Sequence, residues 1–265
     1  MCLARQTPPV LNPKPGKKGA RAGRKPSRAI AKTNPETDLP ALQIASDLGA
    51  IFGAAVSEVW DLHQIQSFIT KKARTILQAR GVPADQVQSP RLDITVPAIE
   101  TMRYCPLRNE MTALIAASMD KRSAHLVHPS FIEILRQLTV DELAILMGMP
   151  SSEEVIPVGH IHEMRGRGRT RVLHRNVIPV RLARRCDMAM SIPSYIDNLS
   201  RLELVAVPTG LKISDNRPYK GLLKNKFCQK YFEDQSTAPK YQLERSLLAL
   251  TDLGERFRNA CLRQG

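Results

Sequence analysis

The spacing of apolar positions changes along the chain, and each change predicts a different kind of element. Over residues 39–76 apolar side chains return at helical spacing, through Ala41, Ile44, Ala45, Leu48, Ile51, Phe52, Ala55, Val56 and Val59, then Leu62, Ile65, Phe68, Ile69 and Ile76. Two amphipathic helices, or one long helix broken near Asp61, fit this pattern. Gly81, Pro83 and Pro90 mark a loop over 80–90, and Pro97 and Pro106 punctuate the entry to a helix with Leu107, Met111, Leu114, Ile115 and Ser118 on one face. Ser130 with Glu133 and Thr139 with Glu142 repeat the S/T-x-x-E box, whose hydroxyl and carboxylate satisfy the free amides of a first turn. They predict short helices at about 131–138 and 140–147.

Over 155–180 the period shortens toward two. Val155, Ile156, Val158 and Ile161, then Val172, Leu173, Val177, Ile178 and Val180, read as strands, with Met164-Arg165-Gly166-Arg167-Gly168-Arg169 as a hairpin tip or flexible insertion. Helical spacing resumes at Ile192, Tyr195, Ile196, Leu199 and Leu202, with Ser191 as the expected N-cap and Pro193 in the first turn. A strand at 204–207, a polar stretch from Pro208 to Gly221, a returning strand at 247–250 and a helix opened by Thr251-Asp252 complete the chain. This is the element order of a winged helix. The expected fold is therefore mainly α with a small β component (α+β): an arm over 1–38, a helical layer over 39–125, and a winged-helix-like unit over 126–265 with an Arg-rich β insertion at 155–185.

Charge adds a partner to this picture. The 265 residues are 43% hydrophobic, too apolar for a wholly disordered chain, and carry a net charge of +14. Such a balance favours a polyanionic partner. Residues 1–35 hold nine basic residues, among them Lys17, Lys18, Arg24 and Lys25, no acid and six prolines, which predicts a disordered basic arm. A second block of eight Arg runs over 165–185 without an acid and includes Arg165, Arg167, Arg169 and Arg171. On a winged helix, Ser194, Asn198 and Arg201 of the recognition helix would meet base edges and phosphates, beside Asp197. Arg217, Lys220, Lys224 and Lys226 would flank the wing.

Candidate chemistry is sparse. Five scattered Cys without a CxxC pair suggest neither a disulfide framework nor a zinc site, and point to a reducing cytoplasm. No P-loop or dinucleotide fingerprint occurs, so no cofactor is expected. His160, His162 and His174 would be the imidazoles for a metal, but with only Glu163 near them they read as strand histidines, and no metal is expected. Asp120 alone beside His125 and His128 does not make a nuclease, and Glu153 with Glu154 reads as a solvated loop.

Three blocks also carry a resemblance. Residues 128–142, His-Pro-Ser-Phe-Ile-Glu-Ile-Leu-Arg-Gln-Leu-Thr-Val-Asp-Glu, preceded by Ala116-Ala117-Ser118-Met119-Asp120, are similar to the central signature of the Abi-alpha family of bacterial abortive-infection proteins. Residues 195–202 and 250–257, with Cys261 after them, resemble its C-terminal signatures. The resemblance implies a role in phage defence and supplies no catalytic residues. The expected function is a cytoplasmic, non-enzymatic defence protein that binds nucleic acid, duplex DNA foremost. The alternative is an effector that binds a phage or host protein, with the Ala45, Gly49 and Gly53 row serving homodimerisation or, less favoured, action at a membrane.

Overall fold

The computed structural model describes residues 60–166, 168–232 and 240–262. The helix expected over 39–59, the small-residue row within it, Lys17, Lys18, Arg24, Lys25 and Arg167 lie outside the described residues.

Helix α1 (Leu62–Ala79) starts where the break near Asp61 was expected. Asp61 accepts from the Gln64 amide at 2.8 Å and the Gln64 side chain accepts from Asp61 N–H at 3.0 Å, a reciprocal capping box. Helix α2 (Leu92–Met102) departs from the expectation, because Pro97 lies inside it rather than before it. Pro97 has no N–H for the fourth carbonyl back, yet Ile94, Ala98 and Met102 recur at one-turn spacing and are fully buried, which outweighs one missing bond. Helix α3 (Arg108–Met119) is buried on every side from Met111 to Ser118, not on one face. Its Ala113, Ala116 and Ala117 leave room for neighbours all round.

Helices α4 (Ser130–Arg136) and α5 (Val140–Gly148) form as expected, but with one cap of the two. Thr139 and Glu142 make the box, the Glu142 carboxylate accepting the Thr139 N–H at 2.6 Å. Ser130 is instead the first residue of α4, bonded to Nδ1 of His128, and Glu133 pairs with Arg136.

Strands β1 (Val155–Arg165) and β2 (Arg169–Val177) make the expected hairpin. After them come α6 (Val180–Ala183), α7 (Ile192–Arg201), β3 (Val205–Ala206), α8 (Arg217–Lys220), α9 (Lys226–Phe232), β4 (Tyr241–Leu250) and α10 (Asp252–Cys261). The four strands form one antiparallel sheet in the order β2-β1-β4-β3. Two expectations change here. The Arg-rich hairpin is no peripheral insertion, since β1 pairs β4 from Val155↔Ala249 to Glu163↔Tyr241 and sits inside the sheet. The strands β3 and β4 are joined by a segment carrying α8 and α9, where an open wing was expected, and β4 begins at Tyr241 rather than near residue 247.

One hydrophobic cluster runs from Ile65 of α1 to Leu262 and takes in Met111 and Leu114 of α3, Ile156 and Val158 of β1, and Leu248 of β4. Phe131 of α4 meets Phe257 of α10 edge-on, with centroids 5.4 Å apart. The described fold is α+β, mainly helical. Among the described residues no helix is long and apolar enough to cross a membrane.

Candidate nucleic-acid interface

The hairpin tip concentrates positive charge because its register opposes like residues. Arg165 faces Arg169 directly across the ladder, and Arg171 stands opposite Glu163. The Glu163 carboxylate accepts from Arg165 Nε at 3.0 Å, which holds it below the usual carboxylate range, and its other oxygen lies 3.8 Å from Lys240. Arg169 and Arg171 are exposed and enter no ion pair with a described residue. Gly168, with φ of 73°, supplies the left-handed residue the tight turn requires.

Helix α7 uses its polar residues differently. Asn198, half-buried, donates through Nδ2 to the Gln137 carbonyl at 3.0 Å and to Glu142 Oε1 at 2.7 Å. Arg201 donates to Asn198 Oδ1 at 2.7 Å and to Gln137 Oε1 at 2.9 Å. These contacts fasten α7 to the α4–α5 turn. On the same helix Asp197 accepts from Arg175 Nη2 at 3.1 Å and from Asn176 Nδ2 at 3.0 Å, which fastens α7 to β2. Ser194 remains exposed, and Ser191 makes no side-chain capping bond.

The remaining cations expected beside a wing are placed apart from α7. Arg217 is held by Asp215 at 2.8 Å, Lys220 lines a cleft beside β4, and Lys224 lines another with Phe227 and Arg184. Leu222 and Cys228 of this segment pack toward Gly159, Ile161 and Val177 on one face of the sheet, whereas α7 lies on the face that carries His160. The sheet thus stands between the two groups.

Register also separates the three histidines. A bulge in β2 sets His174 opposite Ile161, on the other face from His160 and His162, where its ring packs on Phe227 and Tyr231 with centroids 5.2 and 5.6 Å away. His162 Nε2 lies 2.6 Å from Glu244 Oε2, off the line of a hydrogen bond. Among the described residues no group of three His, Cys, Asp or Glu is arranged to hold a metal. Asp120 is engaged by Arg122 at 3.0 Å, which lowers its pKa.

The hairpin and α7 lie within the part of the chain that matches a known family. A solved structure of an uncharacterized protein from the hydrocarbon-degrading marine bacterium Alcanivorax borkumensis SK2 is similar at 20% identity over 52% of this chain and 92% of that one, with a TM-score of 0.32. Comparison with curated proteins gives no match. The family model described as abortive infection alpha matches residues 64–261, from α1 to the last residue of α10. By that match over most of its length, the chain belongs to the abortive infection alpha family, whose name associates it with phage defence.

Proposed function

We propose that the protein acts in abortive infection by binding nucleic acid, duplex DNA foremost, through phosphates held by the β1–β2 hairpin and by the basic residues of 1–35. The observation that carries this reading is the opposition of Arg165 and Arg169. Like charges on directly opposed rungs destabilise a hairpin, and one carboxylate, Glu163, already shared by Arg165 and Lys240, does not neutralise the tip. A phosphate oxygen near both guanidiniums removes that repulsion. A two-stranded ribbon is also narrow enough to enter a major groove. Because Asn198 and Arg201 are occupied by Gln137 and Glu142, the contact is to backbone phosphates and sequence preference is weak.

The test is duplex-DNA affinity against salt concentration for the full chain, for a chain lacking residues 1–36, and for R165E/R169E/R171E in both backgrounds. The expected result is binding that survives truncation, falls with salt at a slope of about −0.9 per phosphate contacted, and is lost on charge reversal at the hairpin. Binding that vanishes with the arm alone overturns the assignment to the hairpin.

A further inference from the structure

Among the described residues, strand β4 is paired on both sides only near its end. Toward β1 its ladder is regular over nine rungs, whereas toward β3 it has Val205↔Leu250 and Ala206↔Ala249. Two bonds fix which of its residues point which way. Lys240 accepts from the Met164 amide on the β1 side, and Thr251 donates to the Leu204 carbonyl on the β3 side. Since backbone direction alternates along a strand, the N–H and C=O of Tyr241, Leu243 and Arg245 point away from β1. Among the described residues no third strand meets them.

The same residues border a slot. A cleft of about 690 Å³ is lined by Tyr241, Leu243 and Arg245 of β4 and by Lys212, Tyr219 and Lys220, with the Arg245 guanidinium 5.7 Å from the centre of the Tyr219 ring. A second of about 390 Å³ adjoins it, with Gly210, Glu244 and Arg245 common to both. Five residues of extended chain reach ~17 Å, enough to follow the edge from Tyr241 to Arg245. The walls are cationic. Lys212 and Lys220 are exposed and enter no ion pair with a described residue, and Arg245 donates to the neutral amide of Asn216. One carboxylate, Glu244, also lines both clefts; its side chain leaves β4 on the opposite face from Arg245, with Oε2 2.6 Å from His162 Nε2.

We infer that the open edge of β4 receives an extended acidic peptide of a partner protein as an added strand, its backbone pairing with Tyr241, Leu243 and Arg245 and its carboxylates meeting Lys212, Lys220 and Arg245. Edge pairing supplies affinity through the main chain and leaves selectivity to the side chains on either wall. The positive side chains of Lys212, Lys220 and Arg245 favour an acidic occupant, which the basic residues 1–35, holding no acid, do not supply. This site requires no nucleic acid and stands independently of the hairpin proposal.

The probe is an eight-residue fluorescein-labelled peptide of alternating Glu and Val, titrated into the full chain, with amide hydrogen exchange followed at Leu243 and Arg245. Saturable binding is expected, with exchange at both amides slowed at least ten-fold. The same peptide N-methylated at every amide keeps its charge but cannot extend a sheet, and is expected to bind at least ten-fold more weakly. K212E/K220E, which changes two exposed side chains, is expected to weaken the unmodified peptide by a similar factor. Equal binding of the methylated peptide, absence of binding, or protection of Leu243 and Arg245 by a single-stranded oligonucleotide rather than by the peptide overturns the proposal.

Discussion

Asn176 donates its backbone N–H to Nδ1 of His160 at 3.2 Å from a left-handed conformation, φ 53°. The irregular register between Gly159 and Ile161 of β1 places this residue against His160, and its buried side chain continues to Asp197 of α7. One residue therefore turns β2 and joins it to both β1 and α7.

The bond makes His160 an acceptor at Nδ1, so protonation there abolishes it. Burial, the largest influence, pushes the His160 pKa below its ordinary value, against the attraction of Glu244 and together with repulsion from His162 and Arg175. The unfolded chain takes up this proton near pH ~6.5, the folded chain only at lower pH. Between those values the unfolded state holds more protons, and stability falls as pH drops. Above the unfolded value this group's contribution is fully present; below the folded value its loss is complete. Urea midpoints at pH 7.5, 6.5 and 5.5 are expected to decline, and H160N to decline less; equal slopes would refute the assignment.

At Asn176 itself, backbone strain and side-chain bonding can be separated. Alanine loses the bond to Asp197 and keeps the unfavourable φ, an expected loss of about 2–4 kcal/mol. Glycine loses the bond but adopts the conformation freely, and is expected to be about 1 kcal/mol more stable than the alanine variant. Denaturation of both variants in parallel measures the difference, and an alanine variant as stable as the glycine one would count against strain.

Gly254 of α10 lies against the Leu204 carbonyl, where a Cβ would collide with backbone, and Thr251 at the start of the same helix donates to that carbonyl. G254A has no flexible side chain to displace, so it is expected to cost about 2–3 kcal/mol. A thermal midpoint within 2 °C of the parent, a shift too small for ~1 kcal/mol in a domain of this size, would show that α10 can retreat.

What the sequence revealed depended on whether the signal was local. Thr139 with Glu142, Pro193 in the first turn of α7, and Thr251 as a cap were legible because the partners stand within one turn. Ser130 carries the same pattern as Thr139, but His128, two residues earlier, captures its hydroxyl. The extent of β4 was hidden because the alternation of Tyr241 and Leu243 with Gln242 and Glu244 is short and breaks at the polar pair Arg245-Ser246, before the apolar run at 247–250. Its ladder with β1 joins residues 78 to 94 positions apart, from Glu163↔Tyr241 to Val155↔Ala249, a pairing that periodicity does not encode. The electropositive hairpin was legible from composition, whereas the engagement of Asn198 by Glu142 and of Asp197 by Arg175 depends on helices meeting in three dimensions.

That engagement separates two uses of α7. If its polar residues fasten the helix, N198A leaves Oε1 of the buried Glu142 and the Gln137 carbonyl without their amide donor, an expected loss of about 1–3 kcal/mol. R201A removes exposed bonds and is expected to cost less than ~1 kcal/mol, with duplex-DNA affinity within two-fold of the parent. R169A, which removes an exposed guanidinium bound to no carboxylate of the described fold, is expected to weaken DNA binding several-fold while leaving stability unchanged or slightly improved, because it relieves the opposition with Arg165. Measured side by side by urea denaturation and fluorescence anisotropy, the reverse pattern, with R201A defective in binding and R169A silent, would return recognition to α7.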